Sequence, residues 1–169
     1  MKKTKKLVFT ALMMALVVVA TMAFKVPSPD AHGYLNLGDG FILLTSYFLG
    51  PLSGFLAGGV GSALADIIGG YSYYAPFTLI IKGLEGLFMG FAIGKCGRKI
   101  YWKQILLAII SEIIMIIGYF FALAIMTQSL IGGILSIPGN IFQGGLGIII
   151  FILTALALEK TNIHRILED

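Results

Sequence analysis

Four ionisable side chains lie inside long apolar stretches of this sequence, namely those of Asp66, Lys82, Glu85 and Glu112. On insertion scales such a group costs roughly 2.5–3.5 kcal/mol near the centre of a membrane helix, so it usually faces a protein interior or a cavity. Lys82 and Glu85 are three residues apart and therefore share one face of a helix. The sequence leaves two interpretations of these groups open, an internal ion pair or contacts with a bound ligand.

The carboxylates of Glu85 and Glu112 are predicted to lie at similar depth. Helix rise places Glu85 about 14 Å below the outer end of its apolar stretch and Glu112 about 12 Å above the inner end of the next one. Paired carboxylates can act as acid and base, so an intramembrane lipid-processing enzyme is an alternative. No nucleophile accompanies the pair, His32 and His164 are predicted on opposite sides of the membrane, and no P-loop sequence is present. The sequence therefore predicts no enzyme, no metal site and no cofactor.

Uncharged hydrogen-bonding groups lie beside aromatic residues near the predicted outer helix ends. Asn140 and Gln143 share one face in the predicted first turn of the last helix, which starts at Pro138. Together with tyrosines they suit a flat, polar heterocycle, although the tyrosines also fit an aromatic belt at the membrane interface. The loop over residues 25–39 is expected to close over the site. We predict these substrate contacts, the last two as deeper candidates: Asn140, Gln143, Tyr119, Tyr74, Lys82 and Glu112.

The composition requires a membrane. Only 12% of the residues are charged, against about 25% in soluble domains, and the mean hydropathy is +0.97. A spanning helix takes about 20 apolar residues, so the length allows five or six spans in one membrane domain, residues 1–169. The net charge of +4 lies at helix ends, which indicates lipid headgroups rather than nucleic acid as its partner. The single cysteine, Cys96, excludes a disulfide within the chain.

Six apolar spans are predicted, although the first 24 residues also resemble a signal peptide. Ten of the twelve basic residues fall in three clusters, at 2–6, 95–103 and 160–165. These clusters lie on one side, as the positive-inside rule requires, only if the chain reverses at Gly50-Pro51. The sequence therefore predicts an all-α bundle with both termini cytoplasmic and with spans two and three short, tilted or broken. The spans cover residues 7–24, 40–50, 52–69, 76–94, 104–126 and 138–158.

Glycines recur at every fourth position in two of these stretches. Small residues at that spacing line one face of a helix and let backbones approach closely. Ordinary bundle packing explains most of them, and no internal repeat accompanies them. The two series are Gly50, Gly54 and Gly58, and Gly86, Gly90 and Gly94.

The six predicted short helices carry several short motifs: Ala11-Leu12-Met13-Met14-Ala15, Leu37-Gly38-Asp39 and the series Gly61, Asp66, Gly70, Pro76, Lys82-Gly83 and Gly86. With these features the chain resembles a known family, the substrate-binding S components of energy-coupling factor (ECF) transporters. The resemblance covers nearly the whole chain and favours the branch for riboflavin, hydroxymethylpyrimidine and pyridoxine. It implies that Ala11 and Ala15 dock on a transmembrane coupling subunit, which works with two partner ATPases.

The resemblance implies a mechanism as well as partners. A water-soluble vitamin or precursor, with pyridoxine or hydroxymethylpyrimidine favoured and riboflavin next, binds in an outward cavity between the first loop and spans four to six. The loaded subunit then docks through its first helix, topples in the bacterial plasma membrane and releases its cargo inside. Besides the enzyme, an independent small-solute transporter and a passive assembly subunit remain as alternatives.

Overall fold

The computed structural model describes residues 3–27, 33–96 and 102–161, which are almost entirely helical. Strands β1 (Val26–Pro27) and β2 (Tyr34–Leu35) form a short antiparallel ribbon between the first two helices. The predicted all-α bundle of six helices is confirmed. The helices of the described chain are α1 Lys3–Ala23, α2 Gly38–Leu49, α3 Pro51–Ile68, α4 Ala75–Cys96, α5 Trp102–Met126 and α6 Leu130–Glu159. The predictions for His32, for His164 and for the basic residues at 2, 98, 99 and 165 lie outside the described residues.

Polar groups lie inside the bundle, and large apolar side chains cover its surface. Asp39, Lys82, Glu85 and Glu112 are each at most 3% exposed, whereas exposed large apolar residues occur on every helix except α2. Because lipid solvates apolar side chains and no water reaches backbone groups there, helices with this distribution suit a bilayer. The helices α1, α3, α4, α5 and α6 are each long and apolar enough to cross a membrane.

Helix α2 forms the centre of the bundle. All of its residues except Phe41 are buried, and it packs against α1, α3, α4 and α6. Leu43 and Tyr47 of α2 join Met89 of α4 and Phe151 of α6 in the largest apolar core cluster. At 12 residues the helix is about 18 Å long, which is shorter than the hydrocarbon core of a bilayer, about 30 Å. The prediction that span two is short is confirmed.

The chain reverses at Gly50, as the charge pattern predicted. Gly50 has φ +86°, which is a conformation that glycine adopts without strain, and Pro51 starts α3. Ser46 of α2 packs at Gly54, and Ile42 packs at Gly58. The two helices therefore run antiparallel as a hairpin.

Basic residues of different parts of the chain gather at the closed end of this hairpin, which we call the basic end. The Lys6 ammonium lies beside Gly50, and Pro51 packs on Gly90, one turn before Lys95. The Tyr47 hydroxyl donates a hydrogen bond to Glu159 at the end of α6. Segments from all three basic clusters therefore lie at one end of the bundle.

Helix α3 is interrupted, as predicted for span three. Its middle, Leu56–Gly61, is π-helical, between α-helical turns at Pro51–Phe55 and Ser62–Ile68. Gly58 and Gly59 of this segment lie directly against the backbone of α4. Because glycine has no side chain, the two helices approach each other closely here. This is the close packing that the spacing of the glycines indicated.

The prediction that the last helix begins at Pro138 is wrong. Helix α6 starts at Leu130, where the Ser129 side chain accepts a hydrogen bond from the Ile131 N–H at 3.2 Å. Pro138 lies inside the helix. Membrane helices tolerate an internal proline because neighbouring groups satisfy the freed carbonyl and no other backbone structure is available in lipid. Asn140 therefore lies in the third turn of α6, not the first.

The first prediction concerns the close contact of α3 with α4. A Cβ on Gly86 would overlap the backbone of Gly54, whereas a Cβ on Gly94 would meet nothing within 4 Å among the described residues. We expect Gly86→Ala to destabilise the protein by about 1–3 kcal/mol through overpacking. Gly94→Ala on the same helix is the control and should be neutral or stabilising by up to about 1 kcal/mol. Melting temperatures of both variants in detergent measure the difference, and equal values would refute the contact.

Candidate functional site

A cavity lies at the end of the bundle opposite the basic end. Its empty volume is about 480 Å³, including the part that opens to solvent. The first loop (residues 24–37, described at 24–27 and 33–37) covers one side, and α3 to α6 form the others. The lining residues are polar, aromatic or small for the most part: Gly33, Tyr34, Leu35, Asn36, Asp66, Tyr74, Thr78, Tyr119, Leu123, Ser136, Asn140 and Gln143.

Asp66, near the end of α3, brings a carboxylate into the cavity wall. Its Oδ1 accepts a hydrogen bond of 2.5 Å from the hydroxyl of Tyr34. Its Oδ2 is buried and has no hydrogen-bond partner in the described part of the chain. Burial, and next the charge of Asp66, raise the pKa of Tyr34, so the tyrosine stays a neutral donor. The wall therefore offers one unused carboxylate oxygen.

Neutral groups of α4, α5 and α6 complete the wall. The hydroxyls of Thr78 and Tyr119 are 3.1 Å apart and share a hydrogen bond. The Ser136 hydroxyl donates a hydrogen bond of 2.8 Å to the Gly133 carbonyl. The Asn140 side chain is half-buried and makes no hydrogen bond within residues 3–27, 33–96 and 102–161. Its amide is thus free to donate and to accept.

Gln143 joins the first loop to the interior of the bundle. Its Oε1 accepts hydrogen bonds from the backbone N–H of Asn36 at 3.0 Å and from the Asn36 amide at 3.3 Å. Its Nε2 donates to Asp39 Oδ2 at 2.8 Å. Asn36 in turn accepts from the Gly38 N–H at the start of α2, at 2.9 Å. One buried side chain thus fixes the cover of the cavity to its floor.

The floor is a cluster of buried charges, which we call the charge cluster: Asp39, Lys82, Glu85 and Glu112. The Lys82 ammonium donates to Asp39 Oδ1 and lies 3.3 Å from Glu85 Oε2. The Lys82–Glu85 pair is the internal ion pair that their spacing allowed. One carboxylate oxygen each of Asp39, Glu85 and Glu112 lie within 4.8 Å of one another, so Glu85 and Glu112 do share a depth.

The structure brings four of the six predicted site residues into the cavity wall. Asn140, Gln143, Tyr119 and Tyr74 line it. Tyr119 lies on α5, and Tyr74 lies in the turn before α4. The other two, Lys82 and Glu112, lie in the charge cluster and are not among the lining residues. The lining residues therefore separate Lys82 and Glu112 from a ligand in the cavity.

Sequence reasoning missed several wall residues. Tyr34 and Asn36 lie in a loop whose fold no periodicity predicts, and Thr78 is an ordinary polar residue of a helix. Asp66 was recognised as a charge inside an apolar stretch, but nothing in the sequence connected it to Tyr34. Its position just before a glycine- and tyrosine-rich turn was the available signal, because such turns lie at helix ends.

The tyrosines of the α3–α4 turn serve two purposes. Tyr74 is 6% exposed and contributes to the cavity, whereas Tyr73 is 56% exposed. Lys25 places its ammonium 4.6 Å from the ring centre of Tyr34 and 5.4 Å from that of Tyr71, a favourable cation–π arrangement. The pKa of Tyr73 is raised, first by the partial burial of its ring and next by the nearby Tyr71.

Helix α1 takes no part in the cavity and presents an unpartnered face. Ala11 and Ala15 are both exposed on it, with large apolar neighbours such as Leu12. Its opposite face packs on α2 and α3, where Thr10 donates to Ser53 at 2.8 Å. The two alanines therefore form a shallow, flat patch where another helix can approach.

Comparison with known proteins gives consistent matches along the chain. Residues 1–160 match the family model described as the S component of ECF-type riboflavin transporters. An uncharacterised protein of Pyrococcus woesei is 42% identical over 134 residues, covering 79% of this chain and 88% of that protein. The thiamine precursor transporter HmpT of Lactococcus lactis subsp. cremoris is 30% identical over 171 residues, covering 96% and 92%. A solved S component of a bacterial ECF transporter has a TM-score of 0.72 and 25% identity, covering 95% and 98%.

The second prediction tests the role of Lys82. Lys82→Met leaves the buried carboxylate of Asp39 without its ion-pair partner, and breaking a buried pair in this way costs about 3–5 kcal/mol. We expect a large fall in the melting temperature in detergent without any ligand present. Lys95→Met, at an exposed position of the same helix, is the control and should melt like the wild type. A stable Lys82→Met protein would show that the ion pair does not hold the floor together.

Proposed function

This chain belongs to the family of ECF-type riboflavin transporter S components, and from that membership we propose that it captures a small pyrimidine vitamin precursor in the cavity described above. It is a multi-pass membrane protein and a substrate-binding subunit for uptake of a vitamin or vitamin precursor. S components are not enzymes, so the lipid-processing alternative built on Glu85 and Glu112 is set aside.

The unused carboxylate oxygen of Asp66 carries the choice of substrate. A buried acceptor without a partner is unfavourable by about 1–3 kcal/mol, and a ligand that donates to it recovers this energy on binding. The exocyclic amine of an aminopyrimidine, beside a ring nitrogen, is such a donor. The negative charge also disfavours a phosphorylated ligand. The substrate we propose is therefore a hydroxymethylpyrimidine in its unphosphorylated form.

The remaining wall groups suit a ring of this kind. The free amide of Asn140 can bond the polar edge of the ring, and the ring of Tyr74 offers an aromatic surface. The Thr78–Tyr119 hydroxyl pair can exchange its mutual bond for one to a hydroxymethyl group. A relative named as a thiamine precursor transporter, 30% identical over nearly the whole chain, supports the same class of substrate. Pyridoxine, which shares the hydroxymethyl substituents, is the second candidate, and riboflavin is the third.

The first loop supplies the cover of the cavity. Tyr34 and Asn36 reach the wall through bonds to Asp66 and Gln143, and the β1–β2 ribbon holds the described parts of the loop together. We propose that loop opening admits the substrate and that reclosure over it gives high affinity, with the basic end of the bundle on the cytoplasmic side.

Helix α1 is proposed as the docking surface for the transport machinery. Ala11 and Ala15 lie on its exposed face, where small residues permit a close helix contact. The partners would be a transmembrane coupling subunit and two ATPase subunits, which provide the energy. A lone chain of this architecture then binds the substrate but does not accumulate it.

The third prediction tests the ligand contacts. We expect Asn140→Ala to weaken hydroxymethylpyrimidine binding by about fivefold, since one hydrogen bond is worth about 0.5–1.5 kcal/mol. Gln143→Ala should weaken it as well, through loss of the loop anchor. Isothermal titration in detergent measures both, with pyridoxine and riboflavin as comparison ligands. Thr154→Ala, on α6 outside the cavity lining, is the control. Unchanged affinity in both variants would remove α6 from the site.

The fourth prediction separates docking from binding. Ala11→Trp and Ala15→Trp should leave substrate affinity in detergent unchanged and abolish uptake by cells that also express the coupling subunit and ATPases. Ala157→Trp, at an exposed alanine of α6, is the control and should retain uptake. Persistent uptake in both α1 variants contradicts the docking surface, and uptake by this chain without partners would indicate an independent transporter instead.

A further inference from the structure

The charge cluster beneath the cavity is not electrically balanced. Asp39, Glu85 and Glu112 contribute three carboxylates from three helices, α2, α4 and α5, and all are at most 3% exposed. The facing cation in the described structure is Lys82, which pairs with Asp39 and Glu85. With all groups ionised, the cluster carries a formal charge of −2. A buried charge of this size is strongly unfavourable unless it is neutralised.

Four of the carboxylate oxygens have no hydrogen-bond partner. They are both oxygens of Glu85 and both oxygens of Glu112, considering the described residues. By contrast, both oxygens of Asp39 are used, one by Lys82 and the other by Gln143. Native structures satisfy buried polar atoms almost without exception. Glu112 has no donor at either oxygen, and Glu85 faces only the Lys82 ammonium, 3.3 Å from its Oε2. Two fully buried carboxylates that are so poorly satisfied indicate a missing positive ligand.

The backbone of α6 is shaped to leave room there. A Cβ on Gly147 would lie 2.9 Å from Glu112 Oε1 and 2.8 Å from Asp39 Cβ, and a Cβ on Gly144 would lie 3.0 Å from Glu112 Oε2. These distances are shorter than ordinary contacts, so any other residue would press on the carboxylates. Two glycines one turn apart thus open the helix wall beside the unpartnered oxygens.

We propose that this cluster binds an oxygen-preferring divalent metal cation, for which Ca²⁺ is the best fit. Calcium bonds to oxygen at about 2.3–2.6 Å, so two of its ligand atoms can be up to about 5.2 Å apart. The observed ligand atoms of Asp39, Glu85 and Glu112 lie within 4.8 Å of one another. A charge of +2 balances the cluster with Lys82 still in place. The sequence-based expectation of no metal site rested on histidines and cysteines and did not consider carboxylates from distant helices.

The position of the site connects it to the cavity without making it part of the cavity. Asp39 lines the proposed metal site and also accepts a hydrogen bond from Gln143. Gln143 in turn accepts a hydrogen bond from Asn36 of the first loop. A cation that draws Asp39 and Glu112 together fixes α2 against α5 and with it the anchor of the loop. The site would therefore stabilise the floor of the cavity independently of which substrate binds above it.

The test uses the full-length protein in detergent, stripped with a chelator and without substrate. We expect saturable Ca²⁺ binding in isothermal titration and a rise of several degrees in the melting temperature, because a ligand of the folded state stabilises it. Glu112→Gln should lose both effects. Glu159→Gln, which removes a carboxylate at the basic end of the bundle, should keep both and thus controls for binding to surface carboxylates.

A second measurement needs no variant and so holds even if Glu112→Gln fails to fold. The infrared difference spectrum of the wild-type protein, with Ca²⁺ minus without, should show a change in the carboxylate stretching bands. The proposal is overturned if no saturable divalent binding occurs, if Glu112→Gln binds Ca²⁺ like the wild type, or if the spectrum shows protonated carboxylic groups that Ca²⁺ does not alter. Because substrate is absent throughout, failure here leaves the pyrimidine assignment unaffected.

Discussion

The architecture depends on the ion pair between Asp39 and Lys82, which ties the first turn of α2 to α4 inside the membrane. A lone charge at this depth is unfavourable, so each residue makes the other tolerable, and neither helix can shift without separating them. Helix α2 has almost no exposed surface and is too short to span the bilayer. Its position is therefore determined by its buried neighbours, and the ion pair fixes its register against α4.

The interior of the bundle holds two polar regions, the closely packed charge cluster and the open cavity above it. In the charge cluster the side chains face each other, and in the cavity the groups face empty space. Gln143 stands at the boundary and bonds to both, to Asp39 below and to Asn36 above. A binding site needs groups held in place before the ligand arrives, and the charge cluster provides that support. The Asn140 amide and Asp66 Oδ2 can remain without a partner in the cavity wall because the buried contacts of the layer behind them hold their helices in place.

The sequence predicted the features that arise from local spacing or from charge. The shared face of Lys82 and Glu85, the reversal at Gly50 and the close packing at Gly54 and Gly86 all depend on residues near one another or on the positive-inside rule. The pairing of Asp39 with Lys82 spans 43 residues and has no local signature. The start of α6 was misplaced because a proline usually ends or begins a helix, and lipid overrides that preference.

The same contrast holds for the candidate site. Residues on helices, such as Asn140, could be found because helix periodicity places them on a face. Tyr34 and Asn36 could not, because the first loop has no repeating pattern and its position results from hydrogen bonds to distant helices. Asp66 was visible as a charge in an apolar stretch, yet its use depends on Tyr34. Long-range partners decide which of the polar residues become binding groups.

The docking surface that we propose on helix α1 lies apart from the cavity wall. It contributes no residue to the cavity lining, so changes on its exposed face do not touch the wall. It is nevertheless continuous with the first loop, and Thr21 lies 3.5 Å from the Asn36 side chain that Gln143 holds. A displacement of α1 by a docked partner would therefore act first on the cover of the cavity and only then on the wall.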